Sequence, residues 1–251
     1  MTTPVDELPL SEPGLGDRLN PAESGHQRRI FIELTALWIV TLLLIRLVVV
    51  LHDNGVHEVV LAAVPLLFIY APVALCQWRK ADSYAYRLFI PALRDRATWQ
   101  RSFRDAGLVT AAILVPWLVG YHLYQSVLFG HGPSLRLPPE LPLLIAYQVF
   151  FVAIPEEFFY RGYFQTRLNE IFARKWLIFG VPMGWGSVIA GLYFAFGHSV
   201  VELQWWHFAT FFPGMAFAWL RERTGGVVAG ALFHAFCNVS VVVLDTVYGL
   251  R

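Results

Sequence analysis

The 251-residue sequence contains few charged residues and only two cysteines. Charged residues make up 15% of the chain, against about 25% in a typical soluble domain. Both cysteines, Cys76 and Cys237, lie inside apolar stretches, so neither a disulfide framework nor a four-cysteine zinc site is expected. The formal net charge of +1 gives no sign of a polyanionic partner. A soluble enzyme, a disordered chain and a nucleic-acid-binding protein are therefore excluded.

Apolar residues, in contrast, make up 57% of the chain. They concentrate in seven stretches, and a helix needs about 20 apolar residues to cross a bilayer. We therefore predict an all-α fold, a polytopic bundle of about seven transmembrane helices whose partner is the lipid bilayer. The predicted spans are 30–51, 58–78, 107–128, 141–164, 183–201, 205–220 and 226–248, of which the sixth is short.

Positive charges are distributed unevenly between the two sides of the predicted bundle. With the N-terminus in the cytoplasm, the cytoplasmic segments hold 15 Lys and Arg residues and the outer segments hold two, Arg136 and Arg251. Cytoplasmic loops of membrane proteins are enriched in Lys and Arg, so this imbalance predicts a cytoplasmic N-terminus. The 15 are Arg18, Arg28, Arg29, Arg79, Lys80, Arg87, Arg94, Arg96, Arg101, Arg104, Arg167, Arg174, Lys175, Arg221 and Arg223.

The first part of the chain differs from the rest in composition. Residues 1–29 are polar and contain several prolines and acidic residues, which predicts a disordered cytoplasmic tail. Residues 30–251 are expected to form one membrane domain. We find no internal repeat and no Gly-rich phosphate loop, HExxH or GxSxG motif in either part.

Three ionisable residues lie close together inside the fourth span. A charged side chain in the bilayer core costs at least about 2.5–3.5 kcal/mol, so each one needs an explanation. Glu157 and Arg161 are four residues apart on one helical face and can form a charge-neutralising pair. Glu156 points about 100° away, which leaves one carboxylate free to act as a general base. A purely structural ion pair would explain Glu157 and Arg161 but not Glu156.

The fifth and seventh spans contribute further polar residues. His198 follows Phe194 by four residues, and a single histidine near a span end is often only an interfacial residue. In the seventh span, Gly226, Gly230, His234 and Asn238 follow one another at intervals of four, so they share one helical stripe. The glycines allow a neighbouring helix to approach closely, while the imidazole and the carboxamide could donate hydrogen bonds to one oxyanion. Hydrogen bonding between helices is the structural alternative for these two residues.

The three patterns together, EExxxR at Glu156–Arg161, FxxxH ending at His198 and HxxxN at His234–Asn238, resemble the signature of one family. It is the CAAX-protease and bacteriocin-processing (CPBP) family of intramembrane endopeptidases, which includes the type II CAAX prenyl proteases. The resemblance covers residues 140–245, the motif-bearing core of a protease domain that spans 30–251. Within the family, the wording of the first motif leans towards the bacterial myxosortase-like group.

The resemblance implies a glutamic protease that needs no metal and no other cofactor. Glu156 and His198 would activate a water molecule, and His234 and Asn238 would stabilise the oxyanion. Glu157 and Arg161 would have a supporting role. The implied partner is a membrane-anchored protein substrate, cleaved near its C-terminal anchor or modified tail, and the expected location is the bacterial inner membrane. No residue of the chain requires a prenylated substrate.

Three other functions remain open at this point. The first is a zinc protease in which Glu156, His198 and His234 bind the metal, since one carboxylate and two imidazoles form an accepted catalytic set. The second is a proton-coupled transporter, although the sequence lacks an inverted repeat. The third is a non-catalytic scaffold or immunity-type protein with the same fold. Two polar residues predicted to lie mid-span, His122 and Gln148, have no assigned role.

Overall fold

A computed structural model of the chain describes residues 21–80, 95–134, 136–172 and 174–250. It confirms the predicted all-α membrane bundle with seven helices. The elements are α1 (Pro21–Asp53), α2 (Glu58–Trp78), α3 (Arg96–Leu128), α4 (Leu141–Ile171), β1 (Lys175–Ile178), β2 (Val181–Gly184), α5 (Trp185–Glu202), α6 (Phe211–Thr224) and α7 (Val228–Val247). A 3₁₀ segment, Trp205–Thr210, joins α5 to α6.

The helices fall into two groups by length. Five of those described, α1, α2, α3, α4 and α7, are long and apolar enough to cross a membrane. Helix α5 is a shorter apolar helix, and α6 has 14 residues, which is about 21 Å of helix. Helices α5 and α6 are therefore shorter than the other five helices, in line with the short sixth span that the sequence predicts.

Several predicted boundaries differ from the structure: the fourth span was predicted to end at 164 and α4 ends at Ile171, and the sixth was predicted as 205–220 and α6 is Phe211–Thr224. Two further differences are at the starts of α1 and α3. Helix α1 begins at Pro21, so residues 21–29, predicted to be part of a disordered tail, are helical, and residues 1–20 lie outside the described residues. Helix α3 begins at Arg96 rather than near residue 107, because Asp95 caps it by accepting hydrogen bonds from the Thr98 hydroxyl and backbone N–H at 2.6 and 3.1 Å. These bonds lower the pKa of the Asp95 carboxyl.

A short antiparallel hairpin, β1–β2, connects α4 to α5 and was not predicted. Its tight turn places Phe179 and Gly180 at positive φ. The indole N–H of Trp219 on α6 donates to the Ile178 carbonyl at 2.9 Å and so fixes the hairpin against the bundle. Four-residue strands inside an apolar sequence give almost no alternating pattern, which explains why the sequence did not reveal them.

The core of the bundle is built from aromatic side chains. They come from α4, α5, α6 and α7, and their rings meet mostly edge to face, the arrangement that aromatic pairs prefer. Helices α1 and α2 pack against the second half of α4, and α3 packs against α7. The fully buried aromatic residues of this core are Phe159, Tyr160, Tyr163, Phe164, Phe194, Phe217 and Phe233.

Candidate active site

The backbone of α4 is irregular around the two glutamates. A short α-helical stretch, Ile154–Glu157, lies between two π-helical stretches, Gln148–Ala153 and Phe158–Gln165. Pro155 lacks the N–H that a regular helix would use there, which is one reason for a change in helical form. Because π-helical turns are rare and occur frequently at functional sites, α4 has the backbone of a specialised segment rather than of a plain membrane span.

The predicted pair of Glu157 and Arg161 forms in the centre of the bundle. Both side chains are completely buried, and Arg161 Nη1 lies 3.3 Å from Glu157 Oε1. Arg161 Nη2 also donates to the Gly214 carbonyl at 2.9 Å, and the guanidinium lies 4.3 Å from the centroid of the Phe194 ring. The arginine charge is therefore balanced by a carboxylate, a backbone carbonyl and an aromatic face.

One predicted glycine contact forms and another does not. A Cβ atom added at Gly230 would lie 2.8 Å from Glu157 Oε2, so the carboxylate would have to shift if a larger residue replaced the glycine where α7 passes it. Gly226 has nothing within 4 Å of such an atom and precedes the start of α7 at Val228. The prediction of a four-residue helical stripe is therefore wrong at Gly226. Gly214 on α6 is a second contact glycine, since its Cβ would lie 3.1 Å from Arg161 Nη2.

His234 links the buried Glu157–Arg161 pair to Glu156. Its Nδ1 lies 3.2 Å from Glu157 Oε1, and because a carboxylate accepts, Nδ1 carries the hydrogen. Its Nε2 faces Glu156 Oε2 at 3.9 Å, and its ring stacks on Phe217 with centroids 4.7 Å apart. Glu157 thus orients the imidazole so that Nε2 points at Glu156.

His198 approaches Glu156 from α5. Its Nδ1 donates to the Phe194 carbonyl at 3.0 Å, so in the neutral ring Nε2 is the acceptor nitrogen. Nε2 lies 3.7 Å from Glu156 Oε2. Among the described residues, Glu156 Oε2 is buried without a hydrogen-bond partner. One carboxylate oxygen therefore faces the Nε2 atoms of two histidines.

Asn238 is the predicted residue that the structure does not place beside Glu156. Its Nδ2 donates to Gln148 Oε1 on α4 at 2.9 Å. Gln148, which had no assigned role, is therefore the α4 partner of the HxxxN asparagine. His122, the other unassigned residue, bonds the Tyr248 hydroxyl through Nδ1 at 2.6 Å.

These side chains come from α4, α5 and α7, the part of the chain in which the three motifs occur. A scan against protein-family models matches the same part. Residues 138–240 match the model for the type II CAAX prenyl endopeptidase Rce1-like family. The match confirms the resemblance seen in the motifs and supports a CAAX-type intramembrane protease in general. No curated protein and no solved structure matches the chain significantly.

Two cavities lie beside the key residues of the Rce1-like region. Glu156 and His198 line one of about 190 Å³, which is otherwise walled by apolar side chains of α1, α2, α4 and α5. Asn238 lines another of about 520 Å³ among α3, α6 and α7. His234 is 3% exposed and lies between the two groups of helices. The predicted site is therefore divided between two faces of the bundle.

Within residues 21–80, 95–134, 136–172 and 174–250, no group of three or more His, Cys, Asp and Glu side chains could hold a metal ion. Glu156, His198 and His234 do come together, with the two Nε2 atoms 3.7 and 3.9 Å from Glu156 Oε2. Cys237 lines the same cavity as Asn238, and Trp117 of α3 also lines it.

Proposed function

We propose that the protein is an intramembrane endopeptidase that uses a glutamate-activated water molecule. Its substrate is a membrane-attached protein, cleaved near a C-terminal anchor or modified tail, and its location is the cytoplasmic membrane of a bacterium. The observation that carries the proposal is the buried Glu156 Oε2, which faces His198 Nε2 at 3.7 Å and His234 Nε2 at 3.9 Å. These separations are too long for direct hydrogen bonds, and a water molecule in the adjoining cavity can hydrogen-bond to Glu156 and His198.

In the first chemical step, the carboxylate of Glu156 removes a proton from the water. His198 Nε2 accepts a hydrogen bond from the same water, because its ring hydrogen is on Nδ1. The oxygen then attacks the carbonyl carbon of the scissile peptide bond, and the carbonyl oxygen becomes an oxyanion. When the carbon–nitrogen bond breaks, Glu156 returns the proton to the leaving amine. The two products are a carboxylic acid and an amine, and no metal or covalent intermediate takes part.

In this scheme, donors on α7 stabilise the oxyanion, which requires the substrate carbonyl to reach from the Glu156 cavity to the side of His234 on which Asn238 lies. An asparagine amide has two hydrogens, so Asn238 can keep its bond to Gln148 and still offer one to the substrate. His234 donates from Nε2 when the ring carries both protons, since Nδ1 is already engaged with Glu157. Glu157 and Arg161 act as positioning residues in this scheme because they hold His234 in its orientation.

The test compares membrane-protein C-termini by mass spectrometry in cells with wild type or Glu156→Gln at equal expression. We expect a defined set of C-termini to be processed only by the wild type, because glutamine cannot accept the proton. Glu58→Gln, a substitution at an exposed acid at the start of α2, is the matched control and should process normally. Normal processing by Glu156→Gln would overturn the assignment and favour a scaffold or a transporter.

A second arm separates the glutamic mechanism from the zinc alternative. The wild-type protein is purified in detergent, treated with a chelator, passed over a desalting column and assayed on a processed substrate found in the first arm. Retained turnover supports the proposed chemistry. Loss of turnover that added Zn²⁺ restores would replace it with a metal mechanism.

A further inference from the structure

Three polar side chains line the cavity beside Glu156. Among the residues that the structure describes they are Glu156, Tyr160 and His198, and the rest of the lining is apolar or glycine. Glu156 Oε2 and Nε2 of the neutral His198 ring, which face each other at 3.7 Å, are both hydrogen-bond acceptors. The Tyr160 hydroxyl is therefore the neutral donor of this set.

The spacing of the EExxxR motif explains why Tyr160 lies beside Glu156. Tyr160 follows Glu156 by four residues on α4, so the two side chains leave the same face of the helix. Glu157 and Arg161, which are also four residues apart, leave the neighbouring face and form the buried pair. The motif thus directs a carboxylate and a phenol to the cavity, and a carboxylate and a guanidinium to the centre of the bundle.

The hydroxyl of Tyr160 lies against the backbone of α5, next to the residue that precedes His198. A Cβ atom added at Gly197 would lie 2.6 Å from the Tyr160 oxygen, closer than real Cβ atoms come to any neighbour. Gly197 also lines the cavity. The absence of a side chain at Gly197 therefore makes room for the hydroxyl at the part of the wall where His198 enters.

The contact of this hydroxyl with Trp38 of α1 leaves its hydrogen available. The indole N–H of Trp38 donates to the Tyr193 carbonyl at 3.1 Å and also hydrogen-bonds to the Tyr160 oxygen. An indole nitrogen is a donor only, so the Tyr160 oxygen is the acceptor in this contact. The hydrogen of the phenol is not used there and can be donated into the cavity.

Other aromatic rings hold the ring of Tyr160 in one position. Its centroid lies 5.2 Å from that of Phe194, 5.9 Å from that of Phe68 and 6.1 Å from that of Phe164. Tyr160 is 1% exposed. A donor fixed in this way needs no reorganisation when charge develops on a substrate, and such preorganised donors stabilise transition states most effectively.

The donors on α7 act from the other side of His234. Asn238 lines the cavity among α3, α6 and α7, whereas Tyr160 lines that of Glu156. His234 offers Nε2 as a donor when its ring carries both protons, since Nδ1 is engaged with Glu157. A carbonyl group attacked beside Glu156 therefore has a neutral donor on its own side if Tyr160 supplies one.

We propose that Tyr160 is a further catalytic residue, whose hydroxyl donates a hydrogen bond to the scissile carbonyl oxygen as this becomes an oxyanion. The phenol keeps its proton throughout, so the proton transfers of Glu156 are unchanged. Tyr160 acts from the Glu156 side of the substrate, and the α7 donors act from the other. This inference rests on the proposed function and adds a donor to it.

Turnover is measured with the purified full-length chain on a substrate found by the C-terminal comparison. Tyr160→Phe keeps the ring and removes the hydroxyl, and we expect kcat to fall by about 10²–10³-fold with KM and the unfolding temperature unchanged. Tyr163→Phe is the matched control, because it makes the same change at a buried tyrosine of α4 whose hydroxyl bonds Glu33. This control should keep the wild-type kcat.

Glu156→Gln in the same assay separates the role of Tyr160 from the function on which it rests. If Glu156→Gln is inactive and Tyr160→Phe turns over like Tyr163→Phe, the protease function stands and the role of Tyr160 is wrong. A rise in KM with unchanged kcat in Tyr160→Phe would also overturn that role. If Glu156→Gln is fully active, the protease function fails and the inference fails with it.

A second variant displaces the hydroxyl without removing it. The methyl group of Gly197→Ala would lie 2.6 Å from the Tyr160 oxygen but 3.7 Å from Cζ, so the clash is with the hydroxyl and not with the ring. We expect Gly197→Ala to lower kcat in the wild-type background and to have no further effect in the Tyr160→Phe background, where the clash is absent. A wild-type kcat for Gly197→Ala, or an equal loss in both backgrounds, would overturn the inference.

Discussion

The two adjacent glutamates of α4 have opposite surroundings. Glu157 has a guanidinium at 3.3 Å and an imidazole at 3.2 Å, and it is completely buried. Glu156 has two imidazole nitrogens at 3.7 and 3.9 Å and a cavity beside it. Among the described residues, the Oε2 atoms of both glutamates are buried without a direct hydrogen bond. The comparison shows how one motif separates stability from chemistry. The carboxylate paired with Arg161 fixes the histidine, and the carboxylate beside the cavity is available to react.

The largest effect is expected from removing the positive charge that pairs with Glu157. Arg161→Met keeps much of the side-chain volume but leaves Glu157 buried without its cation, which costs about 3–5 kcal/mol of unfolding free energy. The measurement is the unfolding temperature in detergent. Glu156→Gln, which changes the other carboxylate, should unfold near the wild-type temperature. Equal unfolding temperatures for Arg161→Met and wild type would show that the pair contributes nothing to stability.

The second largest effect is expected from removing the side-chain amide of Asn238, a proposed oxyanion donor. Asn238→Ala should reduce turnover by about 10²–10³-fold, the usual cost of losing one oxyanion donor. Substrate binding should change little, because the donor acts on charge that develops in the transition state. The rate is measured on a substrate found by the C-terminal comparison, at saturating and limiting concentrations. A rise in KM with unchanged kcat would instead make Asn238 a substrate-binding residue.

The sequence was sufficient for the part of this comparison that depends on spacing. The four-residue interval between Glu157 and Arg161 predicted their pair, and the glycine at position 230 predicted the close approach of a neighbouring helix. It could not predict the partner of Asn238, because Gln148 lies eight residues before Glu156 and a π-helical stretch changes the helical register between them. Apolar stretches of sufficient length predicted the seven helices. The hairpin depends on a tight turn and the start of α3 on the Asp95 cap, and an apolar pattern does not indicate such local contacts.

The third prediction compares Gly230, which lies on the stripe of His234 and Asn238, with Gly226, which precedes α7. Gly230→Ala would place a methyl group 2.8 Å from Glu157 Oε2, and such overpacking costs about 1–3 kcal/mol of unfolding free energy. It should also lower turnover, since Glu157 holds His234. Gly226→Ala is the control, because its methyl group would meet nothing within 4 Å. Thermal unfolding and turnover of both variants give the answer, and a stable, active Gly230→Ala would mean that Glu157 can move without consequence.

The smallest effect is expected at Gln148. Gln148→Leu removes the acceptor for the Asn238 amide, a hydrogen bond that contributes about 1 kcal/mol, or about a factor of five in an equilibrium. If Gln148 only orients Asn238, kcat falls by about that factor, KM is unchanged, and the variant has no further effect in an Asn238→Ala background. This non-additivity distinguishes orientation from simple packing, because a packing loss would lower stability and activity equally in both backgrounds. Additive losses would therefore show that Gln148 does not act through Asn238.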